Sequence, residues 1–214
     1  MRGAVVDCAR VATDAEMLQA WRDGDRSAGN ELFQRHFEAI RRFFVNKVDR
    51  EVEDLVQRTF IGCVEGKDRF EGRSSFRTYL FAVANNILRE FYRQKRRDER
   101  LDFETRSVAD LGAGPSTILA GKREQRALLQ ALRKIPLEFQ VALELYYWEK
   151  LTGIQLGEAL GVPENTARSR VRRGKELLAR ALTRVEKSRD VLESTTADLD
   201  KWAAAIRDEL GPRP

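Results

Sequence analysis

Histidine occurs once in 214 residues, cysteine twice and proline five times. A lone His36 leaves metal chemistry short of ligands. Cys8 and Cys63 are far apart, one in an N-terminal tail and one inside a helical pattern. Neither forms a CxxC pair, so a disulfide framework and a zinc site both lack support. No apolar run approaches bilayer-spanning length, and the N-terminus has no apolar signal core, so no membrane insertion is expected. The default is a soluble, reducing, cytoplasmic protein with no metal and no cofactor. Alternating β-branched residues are also scarce. Apolar residues recur at helical spacing instead, which predicts an all-α chain.

Charge is plentiful, with 39 basic residues against 34 acidic and a net charge of +5. That excess is modest, so its distribution matters more than its total, because phosphate binding follows local potential. Along the chain, residues 1–13 read as a tail. A helix starts at Thr13 or Asp14, with Met17, Leu18 and Trp21 apolar. "RDGDRSAGN" then breaks the pattern. Leu32, Phe33, His36, Phe37, Ile40, Phe43 and Phe44 resume it. Further helices are expected over about 51–65, apolar at Val52, Leu55, Val56, Phe60 and Val64, and over about 76–97. In the latter Phe76, Leu80, Val83, Ile87 and Phe91 mark the inward face. Residues 14–97 thus form a small helical bundle. Residues 98–123, with "SVADLGAGPST", suit a flexible linker. Residues 124–185 form a second helical domain, and 186–214 an extension with a helix near 194–210.

The second domain contains "GVPENTARSRVRRGKELL". A short helix over 152–160, with Ile154, Leu156, Ala159 and Leu160 inward, precedes the Gly161-Val162 turn, and Pro163 suits the first turn of the next helix. There Ala167, Val171, Gly174 and Leu178 share one face, which leaves Asn165, Arg168, Ser169 and Arg172 opposite and Arg170 and Arg173 on the flanks. This is the layout of a helix-turn-helix. Arginine pairs two ways with guanine edges, and flanking arginines hold phosphates. Residues 166–175 carry five basic groups and no acid. Like charges in a block repel unless a polyanion is present.

The order of motifs is more specific than the helix-turn-helix. "IPLEFQVALELYYWEKLTGIQLGEALGVPENTARSRVRRGKELL" resembles region 4 of bacterial sigma factors. "EVEDLVQRTF" and "RFEGRSSFRTYLFAVANNILREFYRQKRR" resemble region 2. Two such modules, in this order over about residues 14–185, are similar to the extracytoplasmic-function (ECF) group of the sigma-70 family. The resemblance implies no enzymatic activity. It implies a cytoplasmic subunit that binds RNA polymerase core through the β′ clamp helices and the β flap, and recognises and opens promoter DNA. An anti-sigma factor is a further partner of this family.

Residue by residue, the resemblance assigns polymerase binding to Glu53, Asp54 and Gln57. The −10 element goes to Phe70, Gly72, Arg73, Ser74, Ser75, Tyr79, Asn86 and Arg93, with Phe70 and Asn86 flanking a captured base. A flipped base needs apolar walls and polar edge-readers. The −35 element goes to Thr166, Arg168, Ser169, Arg172 and Arg173. Some residues depart from the family pattern. Gly62, Cys63 and Gly66 stand where an aromatic is common, Ala167 where a β-branched residue is usual, and Gly157 lies inside a helix it should weaken by roughly 1 kcal/mol. The alternative is a helix-turn-helix regulator that binds duplex DNA independently of polymerase, but that leaves "FRTYLFAVANN" without a role. An enzyme would need a nucleophile cluster or a phosphate-cradling loop, and neither is recognisable. The C-terminal extension either covers a face of one module or adds a stabilising helix.

Overall fold

The computed structural model describes residues 12–95, 102–112, 123–186 and Ala204. The expected helix near 194–210 lies outside them except for Ala204, which is helical. Among the described residues, four helices build the first module: α1 (Asp14–Arg22), α2 (Arg26–Val45), α3 (Val52–Gly66) and α4 (Phe76–Lys95). Four build the second: α5 (Arg123–Leu132), α6 (Leu137–Tyr147), α7 (Gly153–Leu160) and α8 (Glu164–Val185).

Thr13 caps α1 in a reciprocal box, its hydroxyl accepting from the Glu16 amide while the Glu16 carboxylate accepts the Thr13 amide at 2.7 Å. The expected break after α1 shrinks to Asp23–Asp25, because Asp25 caps α2 by accepting the Ser27 and Ala28 amides. "RSAGN" is therefore helical. Gly29 lets α2 approach α1, since a Cβ there would lie 2.7 Å from the Trp21 ring. Leu32, Ile40, Phe44, Leu55, Leu80, Phe81 and Leu88 are sealed in the first core.

On α4 the buried stripe is Phe76, Leu80, Phe81, Ala84, Leu88 and Tyr92. Val83, Ile87 and Phe91 are only half-buried. The inward face is thus rotated from the expected one, because α4 packs against α3 and α2 on one side and α7 on another.

In the second module α6 and α7 both pack on α8. α6 meets α8 closely at Gly174, where a Cβ would sit 3.0 Å from Leu143. Ile154, expected inward, is 61% exposed, and Leu156, Ala159 and Leu160 carry the α7 core.

The linker is not free chain over residues 102–112. Phe103, Val108 and Leu111 are buried. Its Arg106 and Phe103 carbonyls accept the first-turn amides of α6, Leu137 at 2.9 Å and Glu138 at 3.2 Å. Those amides have no partner within their own helix, so the linker completes α6. Neither helical nor strand period marks these residues, which is why their burial is not visible in the pattern.

The two modules are packed together. α4 lies against α7, Lys47 pairs with Glu144 in a fully buried contact, and Arg133 donates to the Asn46 carbonyl at 3.1 Å.

Candidate nucleic-acid and polymerase interfaces

Region 69–79 forms a pocket. Phe70 stacks on Tyr79 with ring centroids 4.7 Å apart and meets Phe76 edge-on at 6.4 Å. Arg69, Arg73, Ser74, Thr78 and Ala82 complete most of its wall. Gly72 has φ +70° and turns the loop. Ser75 caps α4, its hydroxyl accepting the Thr78 amide at 3.1 Å. Arg73 is exposed and pairs with Glu71.

Gly66 is the reason Tyr79 fits, since a Cβ there would overlap the Tyr79 hydroxyl. The departure at "IGCVEG" is therefore compensated: the ring missing from α3 is supplied by α4. Burial pushes the Tyr79 phenol up, so it stays protonated and able to donate. Asn86 is exposed on α4, one turn beyond Ala82, and does not line this pocket. Arg93 is exposed further along, its guanidinium 5.8 Å from the Phe103 ring.

Arg22 on α1 was not among the sequence candidates, yet it holds the pocket loop. It donates to the Lys67 carbonyl at 2.7 Å and to the Phe70 carbonyl. The only sequence signal for it is a basic residue in the last turn of α1.

The helix-turn-helix is built closely. Thr152 caps α7 in a box with Gln155. Gly161 ends α7 at φ +67°, and the Val162 amide donates to the Gly157 carbonyl at 2.9 Å. Gly157 is required there, because a Cβ would meet the Val162 carbonyl oxygen at 2.8 Å. On α8, Ala167, Val171, Gly174 and Leu178 are buried as the spacing predicts. Thr166, Arg168, Ser169, Arg172 and Arg173 are all exposed together.

Acids from outside the basic run partner some of it. Arg168 pairs with Glu164 at 2.7 Å and Arg173 with Glu176 at 2.6 Å. Arg170 differs from expectation. It is turned inward, its side chain 12% exposed, and pairs with Glu138 at 2.8 Å and with linker Glu104 at 3.5 Å. Burial raises the Glu138 carboxyl, and Arg170 opposes that rise.

A third surface is apolar. Phe37, Ile61 and Val64 are 42%, 47% and 46% exposed. With Phe33, Val56 and Phe60 they floor a groove between α2 and α3, rimmed by Arg41, Glu53 and Gln57. Helical spacing assigned Phe37 and Val64 to the core; they are instead the exposed part of this groove. Glu53, Asp54 and Gln57 are exposed, and the two acids lie in the first turn of α3, where its dipole favours them. Among the described residues no cluster of His, Cys, Asp and Glu could hold a metal ion, and no helix is long and apolar enough to cross a membrane.

These surfaces coincide with two known families of domain. The family described as Sigma-70 region 2 matches residues 32–98, and Sigma-70, region 4 matches residues 125–178. The ECF RNA polymerase sigma factor SigW of Bacillus subtilis is 30% identical over 142 residues, covering 62% of this chain and 75% of the relative. The chain belongs to the ECF sigma factors. RNA polymerase sigma factor CarQ of Myxococcus xanthus is 28% identical over 171 residues, 79% of this chain and 97% of that one. Two solved structures share the fold. One is CnrH in complex with the cytosolic domain of CnrY, with TM-score 0.57, 19% identity, and 79% and 97% of the two chains covered. The other is the sigma factor RpoE with the anti-sigma factor NepR from Bartonella quintana, with TM-score 0.55, 21% identity, and 72% and 96% covered.

Within this ECF sigma factor the region 2 match begins in α2, so Arg22 and the rest of α1 precede it. The pocket loop is nevertheless fastened to α1.

Proposed function

We propose a division of labour among the three surfaces of this ECF sigma factor, which directs promoter-specific initiation by RNA polymerase and has no chemistry of its own. The α2–α3 groove, with Glu53, Asp54 and Gln57 beside it, docks on the clamp helices of the polymerase. Its exposed apolar floor is large enough to reward burial, and its polar rim sets orientation.

The Phe70–Tyr79 pocket takes an unpaired base of the −10 element, with Gly72, Arg73 and Ser74 at its mouth and Ser75 holding the helix that forms its wall. Asn86 and Arg93 continue along α4 and contact the following nucleotides or their phosphates. A base stacked on an aromatic gains roughly 1–3 kcal/mol, enough to offset much of the unstacking it undergoes. Thr166, Arg168, Ser169, Arg172 and Arg173 read the −35 element in the major groove, with the β flap held by the same module. Cytoplasmic work alongside polymerase follows from these roles. The pairing of a stacked aromatic pocket with a separate arginine face carries the reading, since a duplex-binding regulator has no use for the first.

Purified protein and core polymerase, run off genomic fragments, test it. Discrete promoter-dependent transcripts are expected. Stable duplex binding without any effect on initiation would overturn the reading. Within it, Ile61→Asp should weaken core binding while leaving the fold intact, and Phe70→Ala should impair opening while −35 binding persists.

A further inference from the structure

We propose that Arg22 is a positioning residue for base capture: from α1 it holds the Phe70 wall of the pocket in its base-accepting place before DNA arrives. This role rests on the assignment of the Phe70–Tyr79 pocket to the −10 element.

The loop from Lys67 to Ser74 leaves the end of α3 with little to hold it. The Arg69 and Phe70 amides both donate to the Gly66 carbonyl at 3.0 Å, which starts the turn. Beyond Phe70, Gly72 contributes no side chain. The Glu71–Arg73 pair is exposed on both sides, so it adds little. Arg22 supplies the fixed point. Its Nε and one terminal nitrogen donate to the Lys67 carbonyl at 3.1 and 2.7 Å, and the same terminal nitrogen donates to the Phe70 carbonyl. No backbone amide donates to either carbonyl. One half-buried guanidinium thus ties the C-terminal cap of α3 to the residue that carries the pocket ring. Its charge suits the place, since a helix C-terminus favours a cation. The guanidinium carbon also lies 5.9 Å from the centre of the Phe70 ring, which steadies the ring as well as its backbone.

Arg22 can serve as an anchor because α1 is itself fastened at both ends. Asp14, in its first turn, pairs with Arg35 at 2.9 Å and His36 at 2.6 Å, both on α2. At the other end Trp21 lies against Gly29, where no Cβ would fit, and meets Phe33 edge-on at 5.1 Å. The Lys67 ammonium returns the contact, 5.3 Å from the Trp21 ring. A loop held this way has less freedom to lose when an unpaired base enters, and such ordering is part of what binding costs. Arg22 does not line the pocket. It acts through Phe70. The opening machinery therefore extends beyond the region 2 match, which starts at residue 32, into α1.

The test uses the full-length chain, core polymerase and a promoter on which the native protein initiates. Permanganate reactivity of unpaired thymines reads opening. Three variants are compared: Arg22→Met, which keeps the stem and loses the donors, Arg22→Lys, which keeps a donating cation, and Phe70→Ala as the pocket reference. An abasic nucleotide is stepped through the non-template −10 strand, and the position that slows native opening most marks the captured base. On the intact promoter Arg22→Met should open about tenfold more slowly, the effect of losing one hydrogen bond to a charged group. Arg22→Lys should recover part of that rate. On the abasic template Arg22→Met and the native chain should open alike, because no base remains for the loop to receive. Core binding and −35 duplex binding should stay native. Arg22→Met opening the intact promoter at the native rate, while Phe70→Ala is slow, overturns the role of Arg22 and leaves the pocket standing. So does an Arg22→Met that stays slower than native on the abasic template or loses core binding, since a general loss of structure acts there too. Phe70→Ala opening the intact promoter at the native rate overturns the pocket and the role of Arg22 together.

Discussion

The ammonium of Lys47 and the carboxylate of Glu144 form an ion pair across the two modules, with neither side chain reached by solvent. Burial pushes the Lys47 ammonium down, while Glu144 works to keep it charged. Lys47 also donates to the Phe43 carbonyl at 2.5 Å, and Gln140 donates to Glu144 at 2.8 Å. Removing one partner strands the other charge, so Lys47→Met should cost about 3–5 kcal/mol of stability. The double variant Lys47→Met/Glu144→Leu should cost much less, because neither partner is left behind as an unpaired buried charge. Denaturant unfolding of both variants beside the native chain measures the difference.

Gly157→Ala should destabilise region 4, although alanine is the better helix former. The added Cβ meets the Val162 carbonyl, which the turn holds in place, and overpacking of this kind costs roughly 1–3 kcal/mol. Thermal unfolding followed by circular dichroism should show the loss, together with weaker −35 binding.

The arginines of α8 should separate into two kinds. Arg172→Ala should reduce −35 discrimination by roughly 1–3 kcal/mol with unchanged stability. Arg170→Ala should instead leave Glu138 without its ion-pair partner, lower stability and have little direct effect on base preference. Competitive binding to cognate and altered −35 duplexes, alongside melting temperatures, distinguishes them.

Cys63 is buried, and desolvation pushes its thiol up to about 12. Its thiolate is therefore scarce at any ordinary pH in the folded chain. In a Cys8→Ser background, a thiol reagent should label Cys63 slowly in native buffer from pH 7 to pH 9 and rapidly after unfolding. Fast native labelling that rises with pH would show an accessible thiol instead.

Much of this architecture is legible in the spacing of side chains. Ala167, Val171, Gly174 and Leu178 are one buried stripe, as their positions demand, and the exposed arginine face follows from it. The caps at Thr13 and the turn at Gly161 carry local chemistry that can be read directly. What spacing cannot show is contact between elements far apart in the chain. α4 is packed by α2 and α3 as well as by α7 of the second module, so its buried face takes in Phe81, Ala84 and Leu88. Arg170 looks like its neighbours until Glu138 and Glu104 are brought beside it. Gly66 looks like a weakness in α3 until the Tyr79 ring occupies the space it leaves. Arg22 gives almost no signal, because its partners are backbone carbonyls, which every residue possesses.

The linker carbonyls that complete the first turn of α6 tie the integrity of that helix to the seating of Phe103. If Phe103 and Arg106 leave, the Leu137 and Glu138 amides lose their acceptors and turn to water. Lifting this stretch of linker therefore begins with the undressing of a helix end.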